Sequence, residues 1–242
     1  MRLNKAVAAT GFCSRRKADA LILAGRVQVN GRLEQNPARS VVLPDDTLHV
    51  NGRVLHRAKK YVYVLLNKPV HVVSTVHDPQ GRRTVVDCLP DHLRTRGLHP
   101  VGRLDYFSEG LLLLTNDGDL GYRLTHPSCH QKKKYEIVVR GQVDAAALRA
   151  MRTGMTLSEG DKVMPVEVKA SMGKTGNTIL TLTLRQGINR QIRRMCRDLN
   201  LTILRLIRVS QGIMTLGDLP AGHTRILETG EIERLARSLK LP

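Results

Sequence analysis

The chain of 242 residues carries 39 lysines and arginines against 21 aspartates and glutamates, giving a formal charge of +18 and a balance suited to a polyanionic partner. At 41% apolar residues it is too rich in core-forming material for a disordered basic tail, and it has no run of about 18 apolar residues, no secretory leader and no lipidation signal. Membrane spans are therefore not expected, and with no Trp, two Phe and five Tyr, neither is a platform of several stacked rings for single strands.

Leu3, Val7 and Ala8 form a helical stripe that stops at Gly11, and Ser14 is placed to cap a second helix carrying Ala18, Leu21 and Ile22, which Gly25 ends. Val27 and Val29 then alternate into Asn30-Gly31, a favoured hairpin turn, and Leu48 and Val50 lead into Asn51-Gly52 and Val54. These signals predict a small unit over residues 1–57. The polar, basic stretch His56, Arg57, Ala58, Lys59 and Lys60 reads as a linker into a second domain over 58–242. Arg15, Arg16 and Lys17 open the second helix, at the end where the helix dipole favours anions. Such a placement fits phosphate contact as well as it fits a solvated face.

Beyond the linker, alternating patterns predict strands over 61–66, 135–139, 166–170, 178–184 and 204–209, and helical periodicity predicts helices over 145–151, 189–199 and 231–239. Strands outnumber helices without a βαβ beat, so the fold class is α+β, with a mainly antiparallel mixed sheet flanked by helices. Cys13, Cys88, Cys129 and Cys196 show no paired spacing, which points to a reducing cytoplasm rather than a disulfide scaffold. His126, Cys129 and His130 lie close in sequence, but no second ligand pair accompanies them and no metal site is expected.

Three segments stand apart: LNKP at 66–69, HPVGRLDYFSEGLLLLTNDGDL at 99–120 and LRQGINRQIRRMC at 184–196. Leu104 and Leu111 to Leu114 read as core-strand residues around a polar loop that presents Asp105, with Arg103 two positions before it. An acid in that setting is, by itself, more often a turn cap or a partner for a nearby arginine than a reacting group. The words GRLDYFSEGLLLLTNDG, KKKYEI and GINRQIRRM, in that order, resemble the RsuA-type pseudouridine synthases of ribosomal RNA, which include RluB, RluE and RluF. Within that group RQGINRQIRRMC is most similar to RluF. The N-terminal LNKAVAATGFCSRRKADALILAGRVQVNG resembles the alpha-L RNA-binding module of the ribosomal-protein-S-four type, so the two likenesses span nearly the whole chain.

The resemblance implies isomerisation of uridine to pseudouridine in ribosomal RNA, the large subunit being expected, with a transfer RNA substrate or a noncatalytic ribosome-assembly role as the alternatives. Every substrate atom is retained, so no cofactor is implied, and a monomer suffices. Asp105 would be the essential carboxylate, attacking the ribose or the base or removing a ribose proton. Arg193 would pair with it, while Arg194 faces phosphate. Tyr135 would stack on the uracil and help to exchange its carbon 5 proton. Arg103 would fill the place of the flipped base or hold a flanking phosphate. Lys68, Lys132 and the lysines after it would neutralise the RNA backbone or simply be solvated, and Arg15, Arg16 and Lys17 would anchor RNA. Asn67, Lys68 and Pro69 resemble a structural motif beneath the catalytic loop, and Tyr106 and Phe107 stand where many members of the family have charged or small residues.

Overall fold

The computed structural model describes residues 1–43, 45–56, 61–126, 129 and 131–240. Helices α1 (Leu3–Ala9) and α2 (Arg15–Leu23) come first, and the Ser14 hydroxyl caps α2 by accepting from the Lys17 N–H at 3.2 Å. Strands β1 (Val27–Val29) and β2 (Arg32–Glu34) join through Asn30-Gly31, and β3 (Leu48–Val50) and β4 (Arg53–Leu55) through Asn51-Gly52. All four turn residues have φ between +51° and +78°, the left-handed backbone that this hairpin turn requires and that Asn and Gly tolerate. The sheet runs β2-β1-β3-β4, and Leu3, Val7, Ala18 and Ile22 of the helices pack against Val27, Val29, Leu48 and Val50.

The larger unit contains β5 (Tyr63–Lys68), α3 (Asp91–Arg94), β6 (His99–Pro100), β7 (Glu109–Thr115), α4 (Gly118–Thr125), β8 (Lys133–Val139), α5 (Ala145–Thr153), β9 (Met155–Thr156), β10 (Lys162–Val163), β11 (Glu167–Met172), β12 (Thr178–Leu184), α6 (Gln191–Asp198), β13 (Ile203–Gln211), β14 (Met214–Thr215), β15 (Thr224–Ile226) and α7 (Thr229–Ser238). A nine-stranded mixed sheet runs β11-β12-β8-β13-β7-β5-β15, with β14 beside β13 and β6 beside β7. Its pairings are antiparallel except one: β13 meets β7 in parallel, through Ile207 opposite Glu109 and Arg208 opposite Gly110. Gly110 has φ +108°, and a Cβ there would lie 2.4 Å from the Arg208 carbonyl oxygen, so only glycine lets the two strands approach this closely.

This parallel seam divides the sheet into two halves with separate cores. On one side Ile137, Leu180, Leu182 and Leu206 pack under Ile192 and Met195 of α6. On the other, β5 and β7 are covered on both faces: Leu65, Leu111 and Leu113 meet Leu120, Leu124 and Leu235, while Val64, Leu66, Leu112 and Leu114 meet Val72, Val85 and Leu89. Burial on both faces explains why Leu111 to Leu114 form an unbroken apolar run rather than an alternation.

Several expectations need adjustment. The first strand of the larger unit begins two residues later than the pattern suggested, and helix α4 was not foreseen. Leu104 is buried but not in a strand, because the Ser74 hydroxyl takes both its backbone groups, donating to the Leu104 carbonyl at 2.8 Å and accepting from its N–H at 3.1 Å. Residues 57–60 of the anticipated linker, and His130 of the loose His/Cys group, lie outside the described residues. Among the described residues there is no grouping of three His, Cys, Asp or Glu able to hold a metal, and no helix long and apolar enough to cross a membrane.

Candidate active site

Asp105 sits in the turn between buried Leu104 and the start of β7, and each carbonyl of that turn has a donor. Leu104 O accepts from the Ser74 hydroxyl, Asp105 O from the Ser108 N–H at 3.0 Å, Tyr106 O from the His71 N–H at 2.8 Å and Phe107 O from Arg193 Nη2 at 2.8 Å. A loop whose four successive carbonyls are all engaged is a rigid mount for a carboxylate. Arg193 reaches the turn from α6. Its Nη2 also donates to Ser108 Oγ at 3.1 Å, and its Nε lies 3.9 Å from Asp105 Oδ2. Burial lowers the Arg193 pKa from its ordinary value, and the neighbouring Asp105 charge pulls it back up.

Asp105, Arg193 and Tyr135 line one cavity of about 340 Å³, within the roughly 300 to 1,000 Å³ typical of ligand sites. The walls come from both halves of the sheet: the Asp105 turn from one, and β8, α6 and β13 from the other. Arg103 is exposed and lines the same cavity. Tyr135 is half-buried on β8, directly opposite Arg208 of β13, its ring packed among the apolar residues of both adjoining cores.

The remaining cations distribute differently from the sequence reading. Lys68 is fully buried, with Nζ donating to the Pro69 carbonyl at 2.8 Å, so it is not a surface contact for an RNA backbone. Burial holds its pKa down to about 8, against the opposing charges of Cys88, Asp105 and Glu109. Lys132 is exposed, outside the cavity, and pairs with Glu167 at 3.4 Å. Lys133 lines the cavity instead, two residues from Tyr135 and therefore on the same face of β8, where burial and the nearby Arg208 lower its pKa. Arg194 is committed to Glu159 at 3.0 Å and Asp161 at 2.6 Å rather than left free for phosphate. Arg190, in left-handed backbone at the start of α6, adjoins both the cavity and a neighbouring groove of about 890 Å³. Arg15, Arg16 and Lys17 are exposed on the small unit.

Sequence reasoning missed Arg208 and Gln211, both almost fully buried and lining the cavity, and it missed Ser74, which clamps Leu104. Lys133 belongs to the basic run Lys132 to Lys134 expected to meet RNA or solvent, and counting in twos from Tyr135 singles it out from its two neighbours.

The RNA pseudouridylate synthase family profile matches residues 62–198, and the S4 domain profile matches residues 1–48. The chain is 38% identical to a protein of Bacillus subtilis named ribosomal large subunit pseudouridine synthase B, over 97% of this chain and 95% of that one. It is 37% identical to the protein of that name in Escherichia coli O157:H7, over 100% and 84%, and 35% identical to an uncharacterised RNA pseudouridine synthase of Aquifex aeolicus, over 100% and 96%. The two with a named target are of the B branch, whereas RQGINRQIRRMC alone had pointed to the F branch. A crystal structure of a pseudouridylate synthase superposes with a TM-score of 0.69 at 27% identity, covering 97% of this chain and 99% of that one.

Proposed function

Because this chain belongs to the RNA pseudouridylate synthase family and carries an S4 domain at its N-terminus, we propose that it isomerises specific uridines of ribosomal RNA, in the large subunit, with Asp105 as the essential carboxylate. The observation that carries the assignment of residues is the convergence of Asp105, Tyr135 and Arg193 on one cavity that both halves of the sheet enclose. In the reaction the bond from ribose carbon 1 to uracil N1 breaks, the base turns, carbon 5 joins the ribose, and the carbon 5 proton leaves as N1 gains one. Asp105 acts on the nucleoside by one of three routes: attack on the ribose, attack on the base, or removal of a ribose proton. Arg193 orients the carboxylate and supports its charge. Tyr135 stacks on the uracil, and its hydroxyl assists the carbon 5 proton exchange.

The uridine must leave its helix first, at a cost of a few kcal/mol. Arg103, exposed at the cavity, occupies the vacated place or grips a flanking phosphate. The small unit, bounded near residue 57, anchors RNA through Arg15, Arg16 and Lys17. The enzyme acts as a monomer in the cytoplasm. Two relatives bear large-subunit names, which favours that RNA over transfer RNA. Nucleotide-resolution pseudouridine mapping, with and without the gene and with an Asp105→Asn copy, tests the whole reading. One or more large-subunit sites should vanish in both the deletion and the Asp105→Asn strain, and unchanged maps would refute it.

A further inference from the structure

We infer that Gln211 and Arg208 read the imide edge of the substrate uracil, Gln211 Oε1 accepting from N3–H and Arg208 Nη2 donating to the adjacent carbonyl. The inference rests on the cavity being the uridine site proposed above. Gln211 and Arg208 are 1% and 2% exposed, and Gln211 Oε1 and Arg208 Nη2 are buried atoms without a hydrogen-bond partner among the described residues. An orphaned buried polar atom costs about 1 to 3 kcal/mol, so two of them in one cavity wall favour a ligand that pairs with both.

Their orientation is not free. Gln211 Nε2 donates to the Leu124 carbonyl at 3.3 Å, which turns the amide so that its oxygen is the idle end. Arg208 Nε donates to the Leu111 carbonyl at 2.8 Å, fixing the guanidinium plane and leaving Nη2 unused. Gln191 Oε1 is orphaned in the same cavity, but its amide nitrogen meets only the Met195 sulfur at 4.0 Å, so that amide is less firmly set.

A local irregularity brings the two groups together. Along an undisturbed strand Arg208 would share its face with Ser210, but β13 shifts register against β8 between Arg208 and Ser210, so that Arg208 faces Tyr135 and Gln211 faces Lys133. Tyr135 and Lys133 lie on the cavity face of β8, and the bulge delivers Gln211 to the same wall. An acceptor and a donor set on the same wall complement uracil, whose N3 carries a proton next to an accepting carbonyl. Cytosine presents an accepting N3, which mismatches Gln211, and a donating amino group in place of O4, which mismatches Arg208 when O4 is the carbonyl that it reads.

The test is a cycle between residue and substrate. Target RNA containing either uridine or 3-methyluridine at the mapped position is treated with wild-type enzyme, Gln211→Ala and Gln211→Met, and products are read by nucleoside chromatography. Wild-type kcat/KM should fall roughly 100-fold with 3-methyluridine, because the methyl group removes the proton that Gln211 accepts. Both variants should lose roughly 10- to 100-fold on uridine and show a methyl penalty at least about tenfold smaller than wild type. A purely structural role for Gln211 would lower both substrates equally and leave the penalty unchanged, which overturns the inference. Equal conversion of uridine and 3-methyluridine by the wild-type enzyme overturns it without any variant. Failure of the wild type to convert uridine in ribosomal RNA would instead sink the functional reading itself.

Discussion

Arg193 Nε stands 3.9 Å from Asp105 Oδ2 while its Nη2 is bonded to the carbonyl of Phe107, two residues past that aspartate. The arginine therefore holds the turn and faces the carboxylate at once, which a lysine's single ammonium cannot do. Arg193→Lys should lower kcat by at least about tenfold with RNA affinity nearly unchanged, and Asp105→Asn should lower it by roughly 100-fold or more. Single-turnover rates beside filter-binding affinities check both, and an Asp105→Asn enzyme with full activity would remove the carboxylate from the mechanism.

Tyr135 carries two separable roles. Tyr135→Ala should cost roughly ten- to a hundredfold in kcat/KM through lost stacking, while Tyr135→Phe should retain binding and slow only the later proton exchange. Release of tritium from carbon 5 distinguishes the two. Lys133→Ala should impair the reaction more than Lys132→Ala, since only Lys133 lines the cavity.

Lys68 gives the fold a recognisable pH signature. Its folded pKa, near 8, lies below the ordinary lysine value, so between about pH 8 and 10.5 the unfolded chain binds the proton that the folded chain has released. Stability from this group accordingly rises with pH across that window and is at its lowest below pH 8, where the buried ammonium must stay charged. Lys68→Met should flatten the slope there by up to about 1.4 kcal/mol per pH unit, measured by urea unfolding from pH 7 to 10.5. An identical slope in the variant would mean the lysine is not titrating in the folded state.

Gly110 is the residue on which the seam depends. Gly110→Ala combines a left-handed φ with a Cβ 2.4 Å from the Arg208 carbonyl oxygen, and should destabilise the larger unit by about 3 kcal/mol or more. A shift of less than about 0.5 kcal/mol in urea unfolding would show that the strands can separate at little cost.

For the small unit, replacing Arg15, Arg16 and Lys17 together by Ala should reduce the slope of log affinity against log salt by up to about 2 to 3, if each contacts one phosphate. Because the Ser14 cap on α2 is retained, circular dichroism should be unchanged. An unaltered salt slope would place the RNA anchor elsewhere.

What the sequence made legible was local chemistry. Both Asn-Gly hairpins and the Ser14 cap follow from backbone and capping preferences that act within a few residues, and the motif words name three residues, Asp105, Tyr135 and Arg193, that line one cavity. The missed features depend on contacts between distant segments. Although Asn67, Lys68 and Pro69 resemble a structural motif, lysine is so rarely buried that the residues of LNKP do not themselves announce that the Lys68 ammonium points inward onto the Pro69 carbonyl. Gln211 reaches the cavity only through a register shift against β8, which alternation cannot reveal. Arg194 follows Arg193 directly, yet the helix turns it toward Glu159 and Asp161, acids that lie far from it in sequence.

The parallel seam between β13 and β7 is only two register pairs long, and the salt bridge from Arg205 to Glu109 at 2.6 Å and the bonds of Arg208 and Arg193 reach across it. A uridine in the proposed site would touch both banks, serving as a removable rivet: bound RNA would lock the halves together, and product release would loosen them again. By mass action the enzyme would then be hardest to unfold when its substrate is in place, and the seam is where protection from hydrogen exchange should first rise.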